Sequence, residues 1–183
     1  MSKAALTLGL ALGLALASSG VTAADGFWQH PAIQSAGRMH ALPQAAYRPD
    51  AKANYKVVFG LTAAAAKPDQ VNPALDRVAR TVNLYASAGV PLTQLHFVAI
   101  ASGGATAIAL DDAHYRQQFG VANPNLPVIA ELRKAGVDIA VCGQAMAEHG
   151  YAYDTIDAHV TLALSALTTI TELQQKGYAL MPL

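Results

Sequence analysis

The sequence predicts an α/β domain built on a mostly parallel sheet of about five strands, with helices on both faces. Three observations predict it. Short apolar runs of strand length recur between residues 55 and 181. Stretches with apolar residues at helical spacing lie between them, opened by Asn or Asp and closed by Gly89, Gly136 and Gly177. Strands that alternate with helical segments connect by right-handed crossovers, which makes the strands parallel.

The elements follow in order. Residues 55–61 (Tyr55-Lys56-Val57-Val58-Phe59-Gly60-Leu61) read as a buried strand. Asn72-Pro73 supplies a helix cap and a proline at the first helical position, and Val78, Val82 and Tyr85 continue the apolar face to Gly89. Residues 95–101 are the second strand, running into the loop Ser102-Gly103-Gly104-Ala105. Asp111 or Asp112 caps a short helix reaching Phe119. Asn123-Pro124-Asn125-Leu126-Pro127 is a turn that launches a helix with Val128, Leu132 and Ala135 on one face. Val137-Asp138-Ile139-Ala140-Val141-Cys142 is the third strand, followed by a tight turn at Gly143-Gln144. Residues 159–163 form the fourth strand. Ala166, Ile170 and Leu173 mark a last helix, and residues 178–181 a final strand.

Ahead of this domain stand two further segments. Residues 1–23 read as a secretory leader: Lys3, an apolar stretch over residues 4–17, and Val21-Thr22-Ala23 as a small-residue cleavage site. The stretch is shorter than the ~18 residues of a membrane span, so stable membrane insertion is not expected; the alternative is a short anchor that stays attached. Residues 24–53 contain Pro31, Pro43, Pro49 and the only tryptophan, Trp28, with little periodicity. They read as an arm packed on the domain or on a neighbouring subunit, because disorder would expose Phe27, Trp28, Ile33, Met39 and Leu42. Twelve basic and twelve acidic side chains, without a Lys/Arg cluster, argue against nucleic acid or an anionic membrane as partner.

Cys142 is the only cysteine, so it cannot form an internal disulfide. It ends a strand, where ligands gather in α/β proteins. Gly143 lets the backbone turn and brings N–H groups near the sulfur, which favours the thiolate. A small buried hydrophobe is the competing reading, and a cysteine paired between two chains is a third. His149 is a candidate base or a solvated surface histidine, Tyr151 and Tyr153 line the site or pack, and Gln144 donates to a bound sulfur species or caps the turn. Ser102-Gly103-Gly104-Ala105 forms an anion nest or a plain steric turn. His114 and His159 read as surface residues, and residues 63–66 as a loop that connects or covers. One cysteine and scattered histidines approach no zinc-ligand spacing, so no metal site is expected.

Three segments together carry a resemblance: Asn123-Pro124-Asn125-Leu126, then Gly136-Val137-Asp138-Ile139-Ala140-Val141-Cys142-Gly143-Gln144, then Leu173-Gln174-Gln175-Lys176-Gly177-Tyr178-Ala179-Leu180. In order and spacing they resemble the DsrE/DsrF-like family of sulfur-relay proteins, over about residues 55–183. Phe27-Trp28 and Tyr47-Arg48-Pro49-Asp50 are similar to an exported, periplasmic subgroup. The resemblance implies a three-layer α/β/α domain that assembles into homo-oligomers, often trimers or hexamers. It implies that Cys142 accepts a sulfane sulfur as a persulfide from a donor and passes it to an acceptor protein; sensing of a reactive sulfur species by the same thiol is the other form of this reading. Gly143, Gln144, Ser102 and Gly103 would bind the sulfur species, without metal or organic cofactor. Many relatives carry a histidine before glycine where this chain has Ser102-Gly103, and His96 lies too early in its strand to replace it. The alternative is a non-catalytic homo-oligomeric binding or assembly module that keeps the fold.

Overall fold

The computed structural model describes residues 27–183, so the leader expected over residues 1–23 and the start of the arm lie outside the described residues. Five strands, β1 (Tyr55–Leu61), β2 (Leu95–Ala101), β3 (Asp138–Cys142), β4 (Thr161–Ala163) and β5 (Ala179–Pro182), form one sheet in the order β4-β3-β2-β1-β5. Every pairing is parallel. The helices are α1 (Pro73–Ser87), α2 (Asp112–Phe119), α3 (Leu126–Lys134), α4 (Gly143–Glu148) and α5 (Ala166–Gln175).

Period-two alternation decides which side chains meet which helices. Val57, Phe59, Leu61, Phe97, Ala99, Ile139 and Val141 share one face and pack under the apolar sides of α1 and α3. Phe59 and Phe97 meet edge to face at 5.4 Å, and Tyr85 of α1 closes the cluster. Val58, Ile100, Ala140 and Cys142 share the opposite face, under Ala166, Ile170 and Leu173 of α5. Helices on both faces of the sheet make three layers, and the thiol lies on the thinner side.

Two side chains of α1 hold the arm: Asp76 accepts the N–H of Gly37 at 2.8 Å, and Asn83 makes most of the contacts. Asn83, buried on that helix, accepts the backbone N–H groups of Ala32 and Ile33 at 2.8 Å each. Its amide nitrogen donates to the carbonyls of Ile33, Gly37 and Ala36 at 3.0, 3.0 and 3.3 Å. Ile33 and Met39 are buried as a result, while Trp28 and Leu42 stay exposed. Gly37 has φ 70°, and a Cβ there would lie 2.2 Å from the backbone nitrogen of Arg80, so no other residue fits.

The third strand starts at Asp138 rather than Val137 and the last ends at Pro182, and four further differences have a local cause. The turn after Cys142 is the helix α4, because the cysteine itself acts as its N-cap. The loop at residues 102–105 tightens into a 3₁₀ segment, Gly103–Ala109, stabilised by the Thr106 hydroxyl donating to the Gly103 carbonyl at 2.7 Å. The fourth strand starts at Thr161 rather than residue 159. Asp157 draws in the N–H of His159 with its carboxylate and that of Val160 with its carbonyl, which holds both in a turn. The last strand starts at Ala179, because the N–H of Tyr178 still closes the end of α5 on the Leu173 carbonyl.

Candidate functional site

Strand β3 delivers Cys142 to the carboxyl edge of the sheet with its side chain on the α5 face. The next residue starts α4, and the sulfur accepts the backbone N–H of Ala145 at 3.4 Å. That is the contact a serine or aspartate oxygen makes at a helix start. Gly143 permits it: a Cβ there would lie 2.9 Å from the Ala163 carbonyl and 3.3 Å from Cδ1 of Leu162.

A second helix start approaches the sulfur from α5. Ser165, buried, is the N-cap of that helix, with its Oγ accepting the N–H of Leu167 at 3.2 Å and lying 4.0 Å from Sγ of Cys142. Burial pushes the Cys142 thiol up. The backbone N–H groups of Ala166 and Ala145, the Ser165 hydroxyl and the N–H of Gln144 pull it down more strongly, and the thiol ends below its ordinary value. Dipoles therefore win over desolvation although the residue is only 5 % exposed.

The other candidate residues divide into two groups. Gln144 spends its side-chain amide on the Leu164 carbonyl at 3.3 Å, strapping α4 to the segment before α5. Tyr153 donates its hydroxyl to the Gly143 carbonyl at 3.4 Å and stays half exposed beside it. Ser102 is extended (φ −151°, ψ 174°) and follows the last β2–β3 pairing, Ala101 with Val141, by one residue. Alternation puts it on the Cys142 face, next to the cysteine across the sheet. Gln144 and Tyr153 thus bond to the segments on either side of the cysteine, and the sulfur's own side-chain neighbour is Ser165. Leu162, Leu164 and Leu167 border them, with Leu164 73 % and Leu167 80 % exposed.

Gly103 and His149 belong to a separate place. The imidazole Nε2 of His149 donates to the Gly103 carbonyl at 2.9 Å, and its ring stacks on Tyr151 at 5.5 Å. Both rings line a cavity of about 320 Å³ together with the 64–68 loop, Asn72, Gly104, Ile108, Tyr115 and Asn125. His149 forms no hydrogen bond with Cys142. His114 pairs with Asp111 at the start of α2 and His159 with Asp157, both at 2.9 Å, away from the thiol. Sequence reasoning missed Ser165. Its signal was available, a serine directly before the first residue of an apolar helical run. Among the described residues no three His, Cys, Asp or Glu side chains are placed to hold a metal ion, and no helix is long and apolar enough to cross a membrane.

Comparison with known proteins bears on the whole domain. No curated protein matches the chain. A solved protein of unknown function from Methanobacterium thermoautotrophicum superposes with a TM-score of 0.50 at 18% identity, covering 71% of this chain and 100% of that one. At that identity the likeness is one of fold. The model of the DsrE/DsrF-like family matches residues 51–183, which hold the whole sheet, all five helices and Cys142, and the chain belongs to that family.

Proposed function

We propose that Cys142 accepts a sulfane sulfur, holds it as a persulfide and passes it to an acceptor thiol. The observation that carries this reading is the set of N–H groups from α4 and α5 that lower the thiol against its own burial. The Cys142 thiolate attacks the outer sulfur of a donor persulfide or polysulfide; the donor's S–S bond breaks and the donor leaves as a thiolate. A new S–S bond now joins Cys142 to the transferred sulfur. An acceptor thiolate attacks that outer sulfur, the bond to Cys142 breaks, and the Cys142 thiolate returns. Nothing is oxidised or reduced overall, and no cofactor takes part. Ser102, Gly143 and Gln144 border the transferred atom. The DsrE/DsrF-like family and its sulfur-relay chemistry support the reading. The reading includes export, supported by the leader-like pattern of residues 1–23, and assembly into a homo-oligomer, trimer or hexamer, supported by the exposed leucines beside the thiol.

One observation favours a second reading. Cys142 is 5 % exposed and packs against Val58, Ile100 and Ala140, as a structural cysteine does. On that reading the protein is an assembly or binding module. Intact mass after incubation with polysulfide separates the two. A reducible gain of ~32 Da, one sulfur atom, localised to Cys142 and absent from Cys142→Ser supports transfer. No adduct on a folded protein whose thiol also resists alkylation establishes the second reading.

A further inference from the structure

Cys142 does not line the cavity between the 64–68 loop and the 3₁₀ segment Gly103–Ala109, and that cavity has the walls of a binding site. Its volume of about 320 Å³ suits a ligand the size of a substituted benzene ring. It opens at the carboxyl ends of β1 and β2, where open α/β sheets take their ligands. Its walls are fixed in advance. Asn72 donates from its side chain to the Ala63 carbonyl at 2.8 Å and from its backbone to Oδ1 of Asn125 at 2.8 Å. Asn125 donates to Oδ1 of Asn123 at 2.9 Å, and Asn123 donates to the carbonyls of Ile108 and Leu110. This buried chain ties one wall to the other. A Cβ at Gly104 would lie 2.8 Å from the backbone nitrogen of Ala64, so the loop already rests on the 3₁₀ segment.

The side chains lining this space have donors to spare and few acceptors. Asn72 is 1% and Asn125 2% exposed, and each uses only one of its two amide N–H groups. Oδ1 of Asn72 is already filled by the N–H groups of Ala74 and Leu75. The Tyr151 hydroxyl makes no hydrogen bond among the described residues, and burial raises its pKa, which keeps its proton in place. Lys67 stands at the rim without an ion pair among the described residues. No aspartate or glutamate lines the cavity, although the charge of Asp69 is close enough to act on the lining Tyr115. Ala64, Ala107, Ile108, Phe119 and the rings of Tyr115 and Tyr151 supply apolar walls. A buried donor left unmatched is costly, and a ligand rich in acceptors relieves it.

We propose that this cavity binds a small organic anion, a carboxylate or sulfonate head on a flat apolar body, with the head toward Lys67 and the two asparagine amides. The site is independent of Cys142, so it stands or falls apart from sulfur transfer.

Benzoate and its neutral isostere benzamide are the probes, titrated into ¹⁵N-labelled protein and followed by amide chemical shifts. Benzoate is expected to give saturable shifts confined to residues 64–68, Gly104 and the side-chain amides of Asn72 and Asn125. Benzamide should bind at least tenfold more weakly, and Lys67→Glu should lose about tenfold for benzoate, the weight of one charge contact near a surface. Ala107→Leu, which fills the cavity from one wall, should abolish the shifts while the remaining spectrum stays folded. Lys67→Glu should leave the alkylation rate of Cys142 unchanged. Absence of saturation, shifts centred instead on the arm near Leu42 and Leu84, or equal affinity for benzamide would each overturn the proposal.

Discussion

Asn83→Leu tests how much of the arm's attachment to α1 rests on that side chain, with the Asp76 contact to Gly37 left in place. Leucine keeps the volume and forms helix better than asparagine, by about 0.4 kcal/mol, so helix α1 itself should not suffer. The loss falls on the arm. Two N–H groups, of the half-buried Ala32 and the buried Ile33, lose an acceptor at 2.8 Å. A buried donor stripped of its partner costs about 1–3 kcal/mol. The three carbonyls that Asn83 serves lose less, because Nδ1 of His30 also reaches those of Ile33 and Ala36. The sum is a destabilisation of about 2–5 kcal/mol, a large share of the 5–15 kcal/mol that holds a typical domain together. Urea unfolding followed by circular dichroism measures it, and amide exchange at Gln29 and Met39, which pair across the arm, shows where it acts. A loss below about 1 kcal/mol with unchanged protection at those two residues would refute the reasoning, because the buried N–H groups would then have found another partner.

Two further outcomes concern the thiol. The iodoacetamide rate of folded Cys142 should follow a titration with its midpoint below that of the urea-unfolded chain, since the N–H groups of Ala166, Ala145 and Gln144 stabilise the thiolate; a midpoint at or above the unfolded one contradicts the site geometry. The sign is that of a depressed acid, so reactivity persists on acidification until the folded midpoint is passed. Gly143→Ala should destabilise the protein by about 1–2 kcal/mol despite alanine's better helix propensity, because its Cβ would sit 2.9 Å from the Ala163 carbonyl. It should also raise the thiol midpoint as α4 shifts. A gain in stability would show that β4 yields freely.

The strands were legible because each is a short apolar run bounded by turn residues, and their parallel pairing because helical segments alternate with them; the order β4-β3-β2-β1-β5 came from the structure. What stayed hidden depends on contacts between distant parts of the chain. Asn83 reads in sequence as an indifferent residue inside a helix, yet its five partners lie 46 to 51 positions away. Helix α4 was hidden for a different reason. Cysteine is not among the side chains that announce a helix start, and Gly143 at the first helical position reads as a turn. The Cys142 sulfur takes the Ala145 N–H and the Gln144 amide is spent on the Leu164 carbonyl, while His149, bonded to the Gly103 carbonyl, lines the donor-rich cavity. The two glycines at 103 and 104 give no hint of that division, since a strand-to-helix turn needs such residues whichever side it serves.

The same N–H groups that lower the Cys142 thiol also give it a structural task. Its sulfur caps α4 through the Ala145 N–H, and a purely structural cysteine would show that contact too. Geometry at the cap therefore does not separate the sulfur-carrier from the inert module; what separates them is chemistry that oxygen cannot perform. Serine is among the strongest N-cap residues and smaller than cysteine, so Cys142→Ser retains the cap and the packing against Ala140 and Ala166. Any loss of sulfur uptake in that variant belongs to the thiolate alone. Ser165 supplies the complementary argument. Its hydroxyl caps α5 and also helps lower the thiol, so Ser165→Ala removes about 1 kcal/mol of helix stability together with one source of thiolate stabilisation. If the thiol midpoint rises in Ser165→Ala while Asp111→Ala, which removes the cap of α2 far from the sulfur, leaves it in place, the cap at α5 is part of the sulfur site and not only of the fold.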